Sequence, residues 1–267
     1  MPELPEVETI VRKFAPLLVG KTIEGFISYW PRQVSPSVVK LRRAISGRTI
    51  TGLKRRAKQI VIVLDDESAV LIHLKMSGRF EWSAACKTPP GHVRARFQFS
   101  GKHALLFCDT RKFGTIRHVR DPEKALSRLG PEPLAAEFGA KGLAGLLCGR
   151  QRILKPLLMD QTVIAGMGNI YTDESLFRAR LHPLRRADDL SWEEIKRLHR
   201  SIRQVLREGI ERSGTTFDWV YPGGKMQNHL RVYGRKGEPC PSCGRPIQLI
   251  RVAQRSTHLC PACQELR

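Results

Sequence analysis

The sequence predicts a multidomain α+β chain: a β-rich N-terminal domain led by one helix, a helical domain, and a small metal-bound hairpin at the C-terminal end. Three observations carry this. Short β-branched and aromatic runs crowd the first 120 residues, a helical apolar period dominates after residue 133, and four of the seven cysteines fall in the last 28 residues. A chain of 267 residues suffices for one large domain or two ordinary ones. With 41% hydrophobic residues it can bury a core and is not globally disordered.

The elements follow in order. Leu4, Val7, Val11, Phe14 and Leu18 recur at steps of three and four, which predicts a helix over 3–18 that stops near Gly20. The runs 59–64 (QIVIVL), 69–74 (AVLIHL), 93–99 (VRARFQF) and 103–108 (HALLFC) read as strands separated by glycine or proline turns. Many short strands with little helix between them predict a sandwich or a barrel. Asp121-Pro122 opens a helical stretch, and Gly130-Pro-Glu-Pro133 reads as an interdomain link. Ser191-Trp-Glu-Glu194 is a capping box, followed by an apolar face of Ile195, Leu198, Ile202, Val205, Leu206 and Ile210, with Gly214 as the stop. Lys196, Arg197, Arg200, Arg203 and Arg207 surround that face; solvation explains them as well as DNA does. The domains expected are 1–120, a linker over 121–133, 134–230 and 231–267.

Lysine and arginine number 46 against 25 acidic residues, a formal charge of +21. Such an excess points to a polyanionic partner, most commonly nucleic acid. No apolar stretch approaches the roughly 20 residues needed to span a bilayer. The opening Met1-Pro-Glu-Leu-Pro-Glu6 is acidic, unlike a secretory signal. An odd number of clustered cysteines argues for a metal site in a reducing compartment rather than a disulfide framework. The expectation is a soluble, cytoplasmic protein.

Cys240-Pro-Ser-Cys243 and Cys260-Pro-Ala-Cys263 lie sixteen residues apart, with strand-like Ile247-Gln-Leu-Ile250 between them. Two such knuckles supply the four thiolates of a tetrahedral zinc site. With no open coordination position, one zinc ion would be structural. A redox pair would need a thioredoxin-like βαβ context, which is missing here. Cys86, Cys108 and Cys148 read as ordinary buried thiols.

Gly166-Met-Gly-Asn169 precedes a helical pattern, and glycines there leave backbone N–H groups open to an anion or simply form a turn. Tyr171 stands where a dinucleotide fingerprint needs its third glycine. The basic stretches 54–58 and 109–114 read as exposed loops on a β-scaffold, suited to phosphate or to solvent, and Met76 alone reads as core.

Taken together, these landmarks resemble one family. They are Met1-Pro-Glu-Leu-Pro-Glu-Val-Glu-Thr9, Arg55-Arg-Ala-Lys58, His73-Leu-Lys-Met-Ser-Gly78, the 109–114 loop, Gly168-Asn-Ile-Tyr171, Tyr233-Gly-Arg-Lys-Gly-Glu-Pro-Cys240 and Gln254-Arg-Ser-Thr257. In this order, from residue 2 to residue 264, they resemble bacterial formamidopyrimidine-DNA glycosylase, a base-excision enzyme for oxidised purines. The resemblance implies an N-terminal β-sandwich edged by the first helix, then a helix-two-turn-helix domain and a zinc-finger hairpin. Double-stranded DNA with an oxidised purine or an abasic site would lie across the cleft, the damaged nucleotide turned out of the stack. The enzyme would act as a monomer, without a membrane.

The same resemblance assigns roles. Pro2, freed by loss of Met1, would be the nucleophile, with an α-amine pKa of about 8. Glu3 would serve as acid or base at the sugar, although a helix N-terminal acid is also favoured by the dipole. Lys58 matches the proton donor of β-elimination and Arg255 that of δ-elimination; a guanidinium acts more readily as a phosphate clamp than as an acid. His92, Arg111 and Asn169 match DNA contacts, and Met76, Arg111 and Phe113 match the side chains that fill the emptied stack. Four positions depart from the family. Its phosphate-binding lysine falls on Gln151, flanked by Arg150 and Arg152; Lys75 replaces a glycine; His258-Leu259 replaces an aromatic pair; and the segment 216–230, which closes over the extruded base, is short. Two rivals are an oxidised-pyrimidine glycosylase of the sister group, in which Leu4 would be glycine, and a non-catalytic zinc-finger DNA-binding protein, which would not need Pro2, Glu3, Lys58 and Arg255.

Overall fold

The computed structural model describes residues 1–84, 91–216 and 223–266. The chain divides into two compact units: Met1–Pro2, Glu6–Ser127 and Thr215–Gly223 form one, and Glu3–Pro5, Arg128–Gly214 and Gly224–Arg267 the other.

The first unit is a sandwich of two sheets. Helix α1 (Leu4–Leu18) is followed by β1 (Ile23–Ser28), β2 (Val34–Ser35), α2 (Val38–Ile45), β3 (Ile50–Arg56), β4 (Gln59–Leu64), β5 (Ala69–His73), β6 (Gly78–Ser83), β7 (Val93–Phe99), β8 (Ala104–Asp109), β9 (Thr115–Val119) and α3 (Pro122–Leu126). One sheet has the order β1-β7-β8-β6 and the other β2-β9-β5-β4-β3. Alternation places Ala95, Phe97 and Phe99 inward along β7, while Val93, beyond a register shift, packs with Ala104, Leu106 and Cys108 on the other face; β8 lies between two strands and is buried throughout. Val7, Ile10, Val11, Phe14 and Leu18 of α1 join Phe26, Ile60, Ile62, Ile72, Phe80, Phe97 and Phe107 in one core. The helical period read from the sequence is therefore the face that α1 lays on the sandwich.

Strand register decides which loops meet. His73 pairs with Gln59 on β4 and with Thr115 on β9, and Gly78 pairs with Asp109 on β8. The 57–58 turn, the 74–77 connection and the 110–114 loop consequently share one end of the sandwich.

The second unit contains α4 (Ala140–Leu147), α5 (Leu154–Met159), α6 (Asn169–Ala179), α7 (Trp192–Glu211), β10 (Gln248–Val252) and β11 (Arg255–Leu259). The capping box of α7 forms as the sequence predicts: Ser191 Oγ accepts the Glu194 N–H at 3.3 Å, and Glu194 Oε2 accepts the Ser191 N–H at 2.9 Å. Helix α6 is almost wholly buried, with Thr172, Asp173, Glu174 and Ser175 inside. Ser175 Oγ donates to the Tyr171 carbonyl at 2.6 Å, and the acidic groups of the helix draw their partners from elsewhere in the unit, as buried polar groups generally do. Glu174 accepts the N–H groups of Arg231, Val232 and Tyr233 at 2.9–3.0 Å, fixing the entry to the C-terminal hairpin. Phe177 packs with Val232, Cys240, Ile247 and Cys260. Cys108 is buried as expected, but Cys148 is exposed at the end of α4, because the helix stops there; Cys86 lies outside the described residues.

Candidate active site and nucleic-acid interface

In the first unit, Lys58 sits in the two-residue turn between β3 and β4, where Ala57 takes a positive φ of 54°. The stretch 54–58 reads as an exposed loop in the sequence, but it is a tight hairpin. Lys58 is 5% exposed, and Arg55 turns back to bond Glu8 Oε2 at 2.9 Å and the Ala57 carbonyl at 3.1 Å. Strand pairing leaves no slack there, so the basic residues split between a buried lysine and a braced arginine. Beside it, His73 Nδ1 accepts the Lys75 N–H at 3.0 Å. Burial, with the charges of Lys75 and Lys58, lowers the His73 pKa to about 4 and keeps the ring neutral at physiological pH. Lys75 adopts φ 53°, in the left-handed region that favours glycine, so the family's glycine at this place has a backbone reason.

The 109–114 loop is organised by one buried carboxylate. Asp109 takes a very short hydrogen bond from Ser77 Oγ, and it accepts the N–H groups of Arg111 at 3.2 Å and Gly114 at 2.7 Å. Both ends of the loop are thereby pinned, and its side chains are left outside. Phe113 is 55% exposed, unusual for a phenylalanine, with the Arg111 guanidinium 5.1 Å from its ring centre. Met76 is half-buried beside Ser77, so it is not a plain core residue. His92 is exposed, and its carbonyl accepts the Asp109 N–H at 2.9 Å.

In the second unit the glycine-rich turn holds the residue that follows Pro2. Glu3 is 3% exposed, and its Oε1 accepts the Ile170 N–H at 3.0 Å. The open N–H at the start of α6 thus receives a carboxylate of the chain itself, an anion that suits a helix N-terminus. Leu4 N–H donates to the Gly166 carbonyl at 3.1 Å. Gln161 braces the turn from behind, accepting the Gly166 N–H and donating to the carbonyls of Met159 and Met167 at 2.7–2.8 Å. Pro2, buried and peptide-bonded to Glu3, is the adjoining residue of the first unit.

The finger hairpin is anchored by a residue that sequence reasoning missed. Lys155 is 1% exposed within α5, and its ammonium forms an ion pair with Asp173 Oδ1 at 2.6 Å while donating to Thr257 Oγ1 at 2.8 Å and the Ser256 carbonyl at 3.0 Å. Asn169 Nδ2 donates to the same carbonyl at 2.9 Å. Burial pulls the Lys155 pKa down, while Asp173 and Glu3 oppose it. Ala253 and Gln254 both take positive φ at the hairpin tip, the geometry of a two-residue primed turn, and Arg255 emerges exposed directly after it. Asp173 also accepts the His258 N–H at 2.9 Å, and the His258 ring packs 4.9 Å from Tyr233 in place of the family's aromatic pair. A lysine alone in the apolar run Ile153-Leu-Lys-Pro-Leu-Leu-Met159 was the available signal. Gln151 and Arg152 are exposed in the loop before α5, Arg152 paired with Asp160 at 3.0 Å. Part of the 216–230 segment, residues 217–222, lies outside the described residues.

The sulfurs of Cys240, Cys243, Cys260 and Cys263 all lie within 4.8 Å of one another. A tetrahedron of Zn–S bonds of about 2.3 Å has edges of about 3.8 Å, so the four thiols fit one zinc ion in a closed, structural site.

Comparison with known proteins agrees with this architecture. The Formamidopyrimidine-DNA glycosylase N-terminal domain family matches residues 1–116, the Formamidopyrimidine-DNA glycosylase H2TH domain family residues 129–219, and the zinc finger found in FPG and IleRS residues 237–266. A β-sandwich, a helix-two-turn-helix unit and a four-cysteine finger define a class, the zinc-finger DNA glycosylases of base-excision repair. The formamidopyrimidine-DNA glycosylases of Chloroflexus aurantiacus and Geobacillus kaustophilus are each 44% identical to the chain, covering 99% of it and 98% and 100% of those proteins. A Lactococcus lactis Fpg (MutM) bound to DNA containing N7-benzyl-Fapy-dG is 36% identical, with a TM-score of 0.92 over 99% of this chain and 100% of that one. A MutM in complex with carbocyclic 8-oxo-G DNA is 37% identical, with a TM-score of 0.93 and the same coverage. The chain belongs to the formamidopyrimidine-DNA glycosylase family. No helix among the described residues is long and apolar enough to cross a membrane.

Proposed function

We propose that the chain is a bifunctional DNA glycosylase and AP lyase that excises oxidised purines, formamidopyrimidines and 8-oxoguanine, from double-stranded DNA, acting as a monomer in the bacterial cytoplasm. One observation carries the reading: the Glu3 carboxylate, fixed against the N-terminus of α6, is covalently adjacent to a buried Pro2. Once Met1 is removed, the Pro2 secondary amine attacks C1′ of the damaged nucleotide. The N–C1′ bond forms as the glycosidic bond breaks, and the base leaves with the bonding pair and a proton. Glu3 protonates the sugar ring oxygen as the ring opens to an imine. The iminium draws electrons from C2′, so loss of that proton expels the 3′ phosphate. A second elimination expels the 5′ phosphate.

Lys58 serves as proton donor in the first elimination. Arg255, at the hairpin tip, acts on the second by gripping the flanking phosphate. Asn169, Arg111, His92 and the exposed loop residues Gln151 and Arg152 contact DNA, while Met76, Arg111 and Phe113 fill the stack the nucleotide has left. The exposed Phe113, held out by a pinned loop, favours that wedge role. Zinc at Cys240, Cys243, Cys260 and Cys263 keeps the hairpin folded and takes no part in the chemistry. The four Lactococcus and MutM complexes with Fapy-dG, 8-oxo-G and abasic-site DNA support the choice of partner.

Borohydride added during incubation with an 8-oxoguanine duplex tests the mechanism. The expected product is a covalent complex that peptide mass analysis places on Pro2, abolished by blocking the N-terminus. Full trapping after such blocking would move the nucleophile to a lysine.

A further inference from the structure

We propose that the groove between α4 and α7 is a second nucleic-acid contact surface, able to hold the phosphate backbone of another DNA segment while the active site is occupied. The groove encloses about 490 Å³ and is lined by Lys196, His199, Arg200, Arg203, Arg207 and their neighbours, with no carboxylate among the described residues that line it. Lys196, Arg200, Arg203 and Arg207 stand at steps of four, three and four, so they form one stripe along α7. Ile195, Leu198, Ile202, Val205 and Leu206 occupy the other side of the helix and are buried.

A solvated helix face usually interleaves opposite charges at this spacing, and like charges there repel. This stripe does not interleave them. Glu194 and Glu208 of the same helix bind Arg185 and Arg178, Glu193 pairs with Lys196 at 2.5 Å at one end of the stripe, and the exposed Glu211 stands one turn beyond Arg207 at the other, so no acidic residue falls between Lys196 and Arg207 on that face. Arg200 and Arg207 are exposed and have no acceptor among the described residues. Arg203 is preset: its Nη1 donates to the carbonyls of Pro133 at 3.0 Å and Ala135 at 2.7 Å. His199 is held likewise, its Nε2 2.8 Å from the Phe138 carbonyl.

The spacing suits a phosphate strand. Eleven residues of helix rise about 16 Å, close to the length of five nucleotides at about 3.4 Å each along one strand of duplex. An acidic protein segment fits less well, because protein interfaces centre on buried apolar or aromatic anchors. Among the described residues Ala140 is the one apolar residue lining the groove. A second cationic contact is in keeping with a formal charge of +21.

The proposal rests on DNA being the partner of this chain, and the experiment separates the two. The full chain is mixed at low salt with two short lesion-free duplexes of different colours, and their co-sedimentation is measured beside cleavage of an abasic-site duplex. The wild type is expected to capture a second duplex. R200E/R207E should lose at least tenfold in that affinity while cleaving the abasic-site duplex within twofold of wild type, and R200K/R207K should retain both. A milder R200Q/R207Q variant should reduce the salt slope of the second binding step by about 1.8, the value for two phosphate contacts. Saturation of the wild type at one duplex would overturn the proposal, as would undiminished second capture by R200E/R207E. Loss of first-duplex binding by the wild type would instead sink the reading of DNA as partner.

Discussion

The carboxylate of Glu3 fills the space in which a side chain at residue 168 would begin. A Cβ built on Gly168 would lie 2.2 Å from Glu3 Cδ and 2.5 Å from Oε1. One on Gly166 would meet the Leu4 side chain at 2.7 Å, and Gly166 also has a positive φ of 86°. These glycines therefore do not wait for a phosphate. They let the N-terminal segment approach the start of α6 closely enough for Ile170 to hold the carboxylate.

Gly168→Ala should force Glu3 out of place. Overpacking of this kind costs about 1–3 kcal/mol, so the melting temperature should fall modestly while cleavage of abasic-site DNA drops at least tenfold. Single-turnover kinetics measures the second effect. Wild-type cleavage by this variant would mean that the position of the carboxylate is immaterial.

Lys155→Met should be the most destabilising single change in the second unit. It leaves Asp173 buried and uncompensated, and breaking a buried pair from one side costs about 3–5 kcal/mol. Adding Asp173→Asn, which keeps an acceptor for the His258 N–H, should recover most of that loss in urea denaturation. Equal stabilities for the single and double variants would deny that the ion pair holds the hairpin.

Acidification should weaken the first unit through His73. Its folded pKa of about 4 lies below the ordinary value of 6.5, so between these values the unfolded chain binds a proton that the folded one does not. This contribution is intact above pH 6.5 and is lost as the pH falls toward 4. By pH 5, 1.5 pH units below the unfolded value, about 2 kcal/mol of it has been lost. His73→Gln should flatten the stability profile between pH 7 and pH 5; an unaltered slope would place the acid sensitivity elsewhere.

Chelation of zinc, or Cys260→Ser, should unfold the hairpin and release Arg255, since metal binding supplies much of the folding free energy of a small finger. DNA affinity should fall while the near-ultraviolet signal of the first unit persists. Metal-free protein that binds DNA undiminished would make the finger dispensable.

The short 216–230 segment should weaken discrimination among bases more than the sugar chemistry. Each hydrogen bond that a base pocket fails to make costs ~1–1.5 kcal/mol, roughly tenfold in rate. Abasic-site cleavage and excision of the ring-opened purine should be robust, with 8-oxoguanine slower. Equal single-turnover rates on the formamidopyrimidine and 8-oxoguanine duplexes would show that the segment does not limit recognition.

The sequence by itself determined the elements whose cause is local. The capping box of α7, the apolar stripe of α1, the alternation of β7 and the paired cysteine knuckles each depend on residues close in the chain, and each appears where the pattern puts it. Family landmarks singled out Pro2, Glu3, Lys58 and Arg255 as the candidates for the chemistry proposed above. What only the tertiary structure decided is how distant polar groups satisfy one another. The sequence could not say that Glu3 rather than a phosphate meets the N–H of Ile170, that Asp109 pins the loop bearing Phe113, or that the Lys155 ammonium pairs with Asp173 while donating to the finger. Periodicity reports which side of an element is apolar; it is silent about buried charges, because the partner that makes burial tolerable stands tens of residues away and is fixed by register and packing.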